Sequence, residues 1–511
     1  MAVKMILLVI FFGTMIAIGI YCRRHSNDIQ GFVLGSRNVG PWLTAFAYGT
    51  SYFSAVVFVG YAGQFGWKYG VASTWIGIGN ALIGSLLAWV VLGRRTRIMS
   101  NHLSATTMPD FFGKRFESKA LKIVASAIVF IFLVPYTASV YNGLSRLFGM
   151  AFDIPYSVCV IVMAVLTGAY VILGGYMATA INDFIQGLIM LGGIVAVIAA
   201  VLNGQGGFAQ ALFNLAEIPS EIPATMGQQG AYTSFFGPDP LNLLGVVILT
   251  SLGTWGLPQM VHKFYAIKSE KAIKTGTIIS TVFAIVISGG CYFLGGFGRL
   301  FENPALHNDQ GGVIYDSIIP FMLSSLPDIL IGVVIVLVLS ASMSTLSSLV
   351  LTSSSTLTLD FLKDNIIKNL NEKRLLLLMR ALIVFFIVLS VVLALDPPTF
   401  IAQLMGISWG ALAGAFLAPF LYGLYWKGVT RAAVWASFIT GVGITVTNMF
   451  WNYIASPINA GAIAMIAGLI IVPLVSLITP KMEKNETEKI FSCYDEAVTV
   501  KRKTALPAEE Q

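Results

Sequence analysis

The chain has 511 residues, of which 56% are hydrophobic and only 11% charged, with a formal net charge of +7. A soluble globular domain carries about 25% charged residues, so the composition excludes one and places the chain in a lipid bilayer. The basic excess lies beside apolar segments, the positive-inside pattern, and not in a patch suited to nucleic acid.

The N-terminal "MILLVIFFGTMIAIGIY" runs into "CRRHS" without a basic lead-in or a small-residue cleavage site, so it reads as a retained first span at about 4–21. Hydropathy gives about thirteen spans in all. The others lie at about 42–66, 73–93, 121–146, 155–175, 181–202, 241–261, 275–297, 327–357, 375–395, 399–425, 430–453 and 459–479. The basic stretches "RRTR", "GKRFESKALK", "HKFYAIKSEKAIK", "KDNIIKNLNEKR" and "WKGVTR" all fall on the side of "CRRHS" if the spans alternate. The opposite side carries Asp153, Glu217, Glu221, Asp239, Glu302 and Asp309. The expectation is a multi-pass cell-membrane protein with the N-terminus outside and the C-terminus in the cytoplasm. Residues 1–480 read as one transmembrane domain, and 481–511 as a mobile polar cytoplasmic tail.

Two spans are interrupted. The second holds Gly49 followed by Thr50, Ser51, Tyr52, Phe53 and Ser54; the seventh holds Gly253, Gly256 and Pro258. Irregular backbone survives at membrane depth only where protein or a watery cavity surrounds it. A kink or a small-residue packing face explains either alone, but matching interruptions in two halves point to an inverted-repeat transporter with a midplane site. The ninth span ends in "LSASMSTLSSLVLTSSSTLTLD", with twelve hydroxyl side chains. Ala341, Ser344, Thr345 and Ser348 share one helical face, which suits a cation and equally a helix-packing face. Asp183 in "INDFIQ" opens the sixth span, either as a functional intramembrane carboxylate or as a helix cap. No Lys or Arg reads as lying mid-span.

Cys22, Cys159, Cys291 and Cys493 form no CxxC pair, and His25, His102, His262 and His307 are scattered. No metal centre, catalytic set or phosphate-binding GxxxxGK[ST] loop is legible, so no enzyme or ATP-driven pump is expected.

The stretches "DIQGFVLGSRNVGPW", "TTMPDFFGKRF", "ILGGYMATAINDFIQG", "GLPQMVHKF" and "SASMSTLSS", in that order at span ends, resemble the sodium:solute symporter family, that of the bacterial sodium/proline and sodium/galactose transporters. The resemblance implies an all-α, leucine-transporter-like fold. An extra first helix precedes two inverted five-helix repeats, at about 42–202 and 241–425, and two peripheral helices follow at about 430–479. It implies a main sodium site at Thr50, Phe53, Ala341, Ser344 and Thr345. Some relatives hold a second sodium, matched here by Asp183, Ser344, Ser347 and Ser348. Tyr52, Tyr136, Thr250, Thr254 and Trp255 match solute positions. Tyr52 stands where proline transporters have an aspartate, and Thr250 and Thr254 where they have aromatics, which makes proline itself doubtful. The expected function is sodium-coupled import of a small organic solute, such as a monocarboxylate, an amino acid or a pantothenate-like acid, with no obligate protein partner. The alternatives are a solute sensor or a sodium-conducting channel of the same fold.

Overall fold

The computed structural model describes residues 2–22, 28–152, 154–363, 366–367 and 371–505. Arg23, Arg24, His25, Asp153, part of the basic stretch after Lys363 and the last residues of the tail lie outside these. Helices α1 (Ala2–Cys22) and α2 (Pro41–Tyr52) are followed by α3 (residues 56–69) and α4 (residues 74–102). Then come α5 (Met108–Arg115), α6 (Lys119–Phe152), α7 (Tyr156–Gly204), α8 (Pro240–Gly256), α9 (Pro258–Ala266) and α10 (Glu270–Gly295). The rest are α11 (Tyr315–Ser324), α12 (Asp328–Lys363), α13 (Glu372–Leu395), α14 (Ile401–Tyr425), α15 (Arg431–Trp451), α16 (Pro457–Ile478) and α17 (Lys484–Ala505).

Among the described residues, 10 helices are long and apolar enough to cross a membrane, or up to 11 with the bent pair α8–α9 counted as one span. Each expected span overlaps helix, and the one at 42–66 is broken at Phe53 and Ser54. The smaller number arises because α3 and α4 run together through Gly70, and because the fifth expected span supplies only the shorter apolar stretch Tyr156–Ala169. Within α7 the helix is interrupted at Gly175, whose φ of 56° and ψ of −151° suit only glycine.

Helix starts follow local chemistry. Proline occupies the first turn of α2, α8, α9 and α16, where its missing N–H costs nothing. Asp239, Asn371 and Thr430 cap α8, α13 and α15 by accepting from backbone amides.

The hydroxyl-rich α12 packs against α1, α2, α6, α7 and α13. Its apolar window is 78% buried, against 22% for α1, so its hydroxyls meet protein and not lipid. α14, 94% buried, forms the second central rod, against α6, α8, α15 and α16. α3 and α10 approach so closely that a Cβ on Gly66 would stand 2.0 Å from the Gly295 carbonyl oxygen.

The tail departs from expectation. Instead of a mobile strand, α17 docks on the end of α4, with Ile490, Phe491 and Cys493 buried. The Arg115 guanidinium lies 4.9 Å from the Phe491 ring centre, and the Tyr494 hydroxyl donates to the Leu424 carbonyl at 3.2 Å. The polar composition hid an amphipathic face that a cation–π contact anchors.

Candidate functional site

The first break lies where α2 ends. Phe53 is extended (φ −104°, ψ 101°), and helix resumes after Ser54. The second lies at Leu257 (φ −83°, ψ 122°), where α8 and α9 meet at 45°. The second follows from sequence, because Pro258 cannot donate to a continuous helix; the first has neither glycine nor proline at Phe53 and Ser54.

At the first break, α12 takes over the freed carbonyls. Ser344 Oγ lies 2.9 Å from the Thr50 carbonyl oxygen and 3.0 Å from that of Ala341. Thr345 Oγ1 lies 3.2 Å from the Thr50 carbonyl oxygen and 3.1 Å from that of Ala341. Each of the two hydroxyls therefore lies within hydrogen-bonding distance of both carbonyls. Each hydroxyl has one proton and two lone pairs. Turned about Cβ–O, both can present lone pairs to a hard cation that the carbonyls also face. Phe53 stands at the break itself, its ring 4.3 Å from that of Tyr52.

Behind this set lies a second cluster. Asp183 sits inside α7 and not at a helix start, so it caps nothing. It is fully buried, and neither carboxylate oxygen makes a hydrogen bond. Lys263 of α9 reaches in: its Nζ donates to Ser348 Oγ at 2.9 Å and stands 3.8 Å from Asp183 Oδ2. Ser348 Oγ is also 2.7 Å from Ser51 Oγ in α2. Ser347 Oγ donates to the Ser344 carbonyl of its own helix at 2.8 Å.

The solute candidates converge only in part. The Tyr52 hydroxyl donates to the Thr250 carbonyl at 2.5 Å, which joins the two broken helices. Thr254 Oγ1 and Trp255 Nε1 donate to the Gly84 and Ile83 carbonyls of α4, each at 3.0 Å. Tyr136 of α6 meets the group through Trp409 of α14: the rings of Tyr52 and Trp409 stack at 5.9 Å, and Tyr136 stands edge-on to Trp409 at 5.8 Å. Tyr136 Oη and Trp409 Nε1 are buried without a well-formed hydrogen bond. All these side chains are sealed from solvent.

Sequence reading missed Lys263 and Trp409. Lys263 was read with the basic loop after the seventh span. The available signal was Pro258: a helix restarting there carries Lys263 into the protein. Trp409 offered no local signal, since an aromatic in an apolar span is usually packing.

At the end bearing the basic loops, the segment before α2 is tied to the end of α9. Val39 pairs with Ile267, and Arg37 donates to the Tyr265 carbonyl at 3.2 Å and to the Ala105 carbonyl. Burial, with Arg97 nearby, brings the Arg37 guanidinium down to about 10. Asp110 binds Lys122 at 2.8 Å and Lys114 at 2.9 Å. Burial opposes the Asp110 charge, but these lysines more than offset it and hold the carboxyl below its ordinary range.

An all-helical membrane protein with two broken helices and a neutral-oxygen cluster has the features of a secondary transporter. The family model of the sodium:solute symporter family matches residues 32–441, and the chain belongs to that family. A sodium/proline symporter of Staphylococcus aureus is 29% identical over 498 residues, which cover 94% of this chain and 92% of the relative. A substrate-bound, outward-open Na+-coupled sialic acid symporter shares the fold with a TM-score of 0.76 at 16% identity, covering 94% of this chain and 98% of its own. The nucleobase-cation symporter Mhp1, in a closed conformation, aligns with a TM-score of 0.51 at 13% identity over 90% of this chain and 97% of its own. The protein is thus a multi-pass, sodium-coupled symporter and not an enzyme; its transported substrates are sodium and a small solute.

Proposed function

We propose that this chain imports a small organic solute together with sodium by alternating access about the two helix breaks. The observation that carries the reading is the oxygen set of Thr50, Ala341, Ser344 and Thr345, where α12 meets the end of α2. Phe53, at the break, completes the proposed sodium site. The basic end is the cytoplasmic one, so the N-terminus lies outside. The architecture is an extra helix, two inverted five-helix repeats at about 42–202 and 241–425, and peripheral helices at about 430–479.

The solute binds between the breaks, beside Tyr52, Tyr136, Thr250, Thr254 and Trp255. An amino acid, a monocarboxylate or a pantothenate-like acid suits helix ends, hydroxyls and aromatic walls. Proline, carried by the Staphylococcus relatives, is disfavoured by Tyr52, Thr250 and Thr254. The test is uptake of labelled proline, other amino acids, lactate and pantothenate into proteoliposomes, with sodium replaced by potassium in parallel. At least one solute is expected to accumulate only under an inward sodium gradient. Equal uptake in potassium would contradict the reading.

A further inference from the structure

The cluster around Asp183 already contains a cation. Lys263 is 2% exposed, and its ammonium is held by Ser348 Oγ at 2.9 Å, by Asp183 at 3.8 Å and by the face of the Tyr176 ring at 5.2 Å. A buried carboxylate that makes no hydrogen bond is stabilised by a positive charge beside it, and Lys263 places one 3.8 Å away. The cluster is then neutral. A sodium ion added there would stand about 4 Å from the ammonium, close enough to weaken its binding roughly a thousandfold at an effective dielectric of about 20. The main set has no such guest: its charge-free oxygens come from Thr50, Ala341, Ser344 and Thr345.

We propose that the Lys263 ammonium is the resident cation of the Asp183–Ser348 cluster, standing where a second sodium would bind, so that the protein carries one sodium per cycle. The inference rests on the main sodium site proposed above. The lysine also acts as a tether. It comes from α9, beyond the second break. Through Ser348 and Ser51 it links that helix to α12 and to the end of α2. A fixed cation there preserves this link without being consumed in transport.

The test is equilibrium binding of radioactive sodium to purified protein in detergent. Wild-type protein is expected to bind one ion with a Hill coefficient of one, and to lose it in Thr345→Ala. Lys263→Gln leaves Asp183 uncompensated and is expected to bind two ions, with a Hill coefficient above one. Asp183→Asn combined with Lys263→Gln removes both charges and is expected to return to one. Where Lys263→Gln fails to fold, Lys263→Met serves in its place, with two ions expected and one ion overturning the inference. Two ions in the wild type, or one in folded Lys263→Gln, overturn this inference and leave the main site standing. No bound ion in the wild type overturns the main site and this inference with it.

Discussion

Trp409 and Tyr136 stand edge to face beside Tyr52, at the wall of the proposed solute site. Both are buried, and neither the indole N–H nor the phenol makes a well-formed hydrogen bond. A solute bound between the breaks would offer both groups a stronger hydrogen bond, and losing such a bond to a buried group costs about 1–3 kcal/mol. Trp409→Phe and Tyr136→Phe keep most of the packing and remove one polar group each. Each is expected to raise the apparent KM for solute about tenfold, the equivalent of about 1.4 kcal/mol, with no change in the sodium concentration for half-maximal uptake. Unchanged KM in both variants would place the solute elsewhere. Tyr136 is a candidate from the sequence only through the family resemblance. Trp409 could not, because its role comes from stacking on Tyr52, more than three hundred residues away in the chain. Lys263 shows the same limit: its neighbours in sequence are loop-like, and only the fold carries it to Asp183.

At the scale of elements, breaks were more legible than contacts. Gly253 to Pro258 declares interruption locally, through missing side chains and a missing amide donor, whereas neither glycine nor proline marks the first break at Phe53 and Ser54. Hydroxyl content likewise marked α12 as the inner helix. The interruption at Gly175 was not anticipated as backbone strain, and the docked α17 was read as a free tail, because both depend on distant partners. Phe32 lies 2.8 Å from where a Cβ on Gly175 would be, and Arg115 anchors Phe491. Close helix crossing is another such feature. Gly66 admits no side chain against the Gly295 backbone, whereas a Cβ on Gly192 meets nothing within 4 Å. Gly66→Ala is therefore expected to lower the detergent unfolding midpoint, in line with overpacking costs of about 1–3 kcal/mol or more. Gly192→Ala is expected to leave it unchanged or raise it slightly, since alanine favours helix. Equal midpoints for the two variants would contradict the close packing of α3 on α10.

For the whole molecule, the number of ions sets what transport can achieve. Moving one charge through 100 mV is worth about 2.3 kcal/mol, and a tenfold sodium gradient adds about 1.4 kcal/mol. One sodium can therefore drive a neutral or zwitterionic solute to roughly a few hundredfold accumulation. A monoanion carried with one sodium moves no net charge, so it gains only about tenfold from the same gradient. A single-ion carrier is thus better matched to a zwitterion than to a carboxylate. Coupling depends first on whether Ser344 and Thr345 hold the ion. The most direct measurement is the sodium concentration giving half-maximal solute uptake in proteoliposomes for wild type, Ser344→Ala and Thr345→Ala at equal reconstitution. Loss of one oxygen ligand is expected to raise that concentration about tenfold or more in each variant. A sodium dependence identical to wild type in both would contradict the assignment of the coupling site.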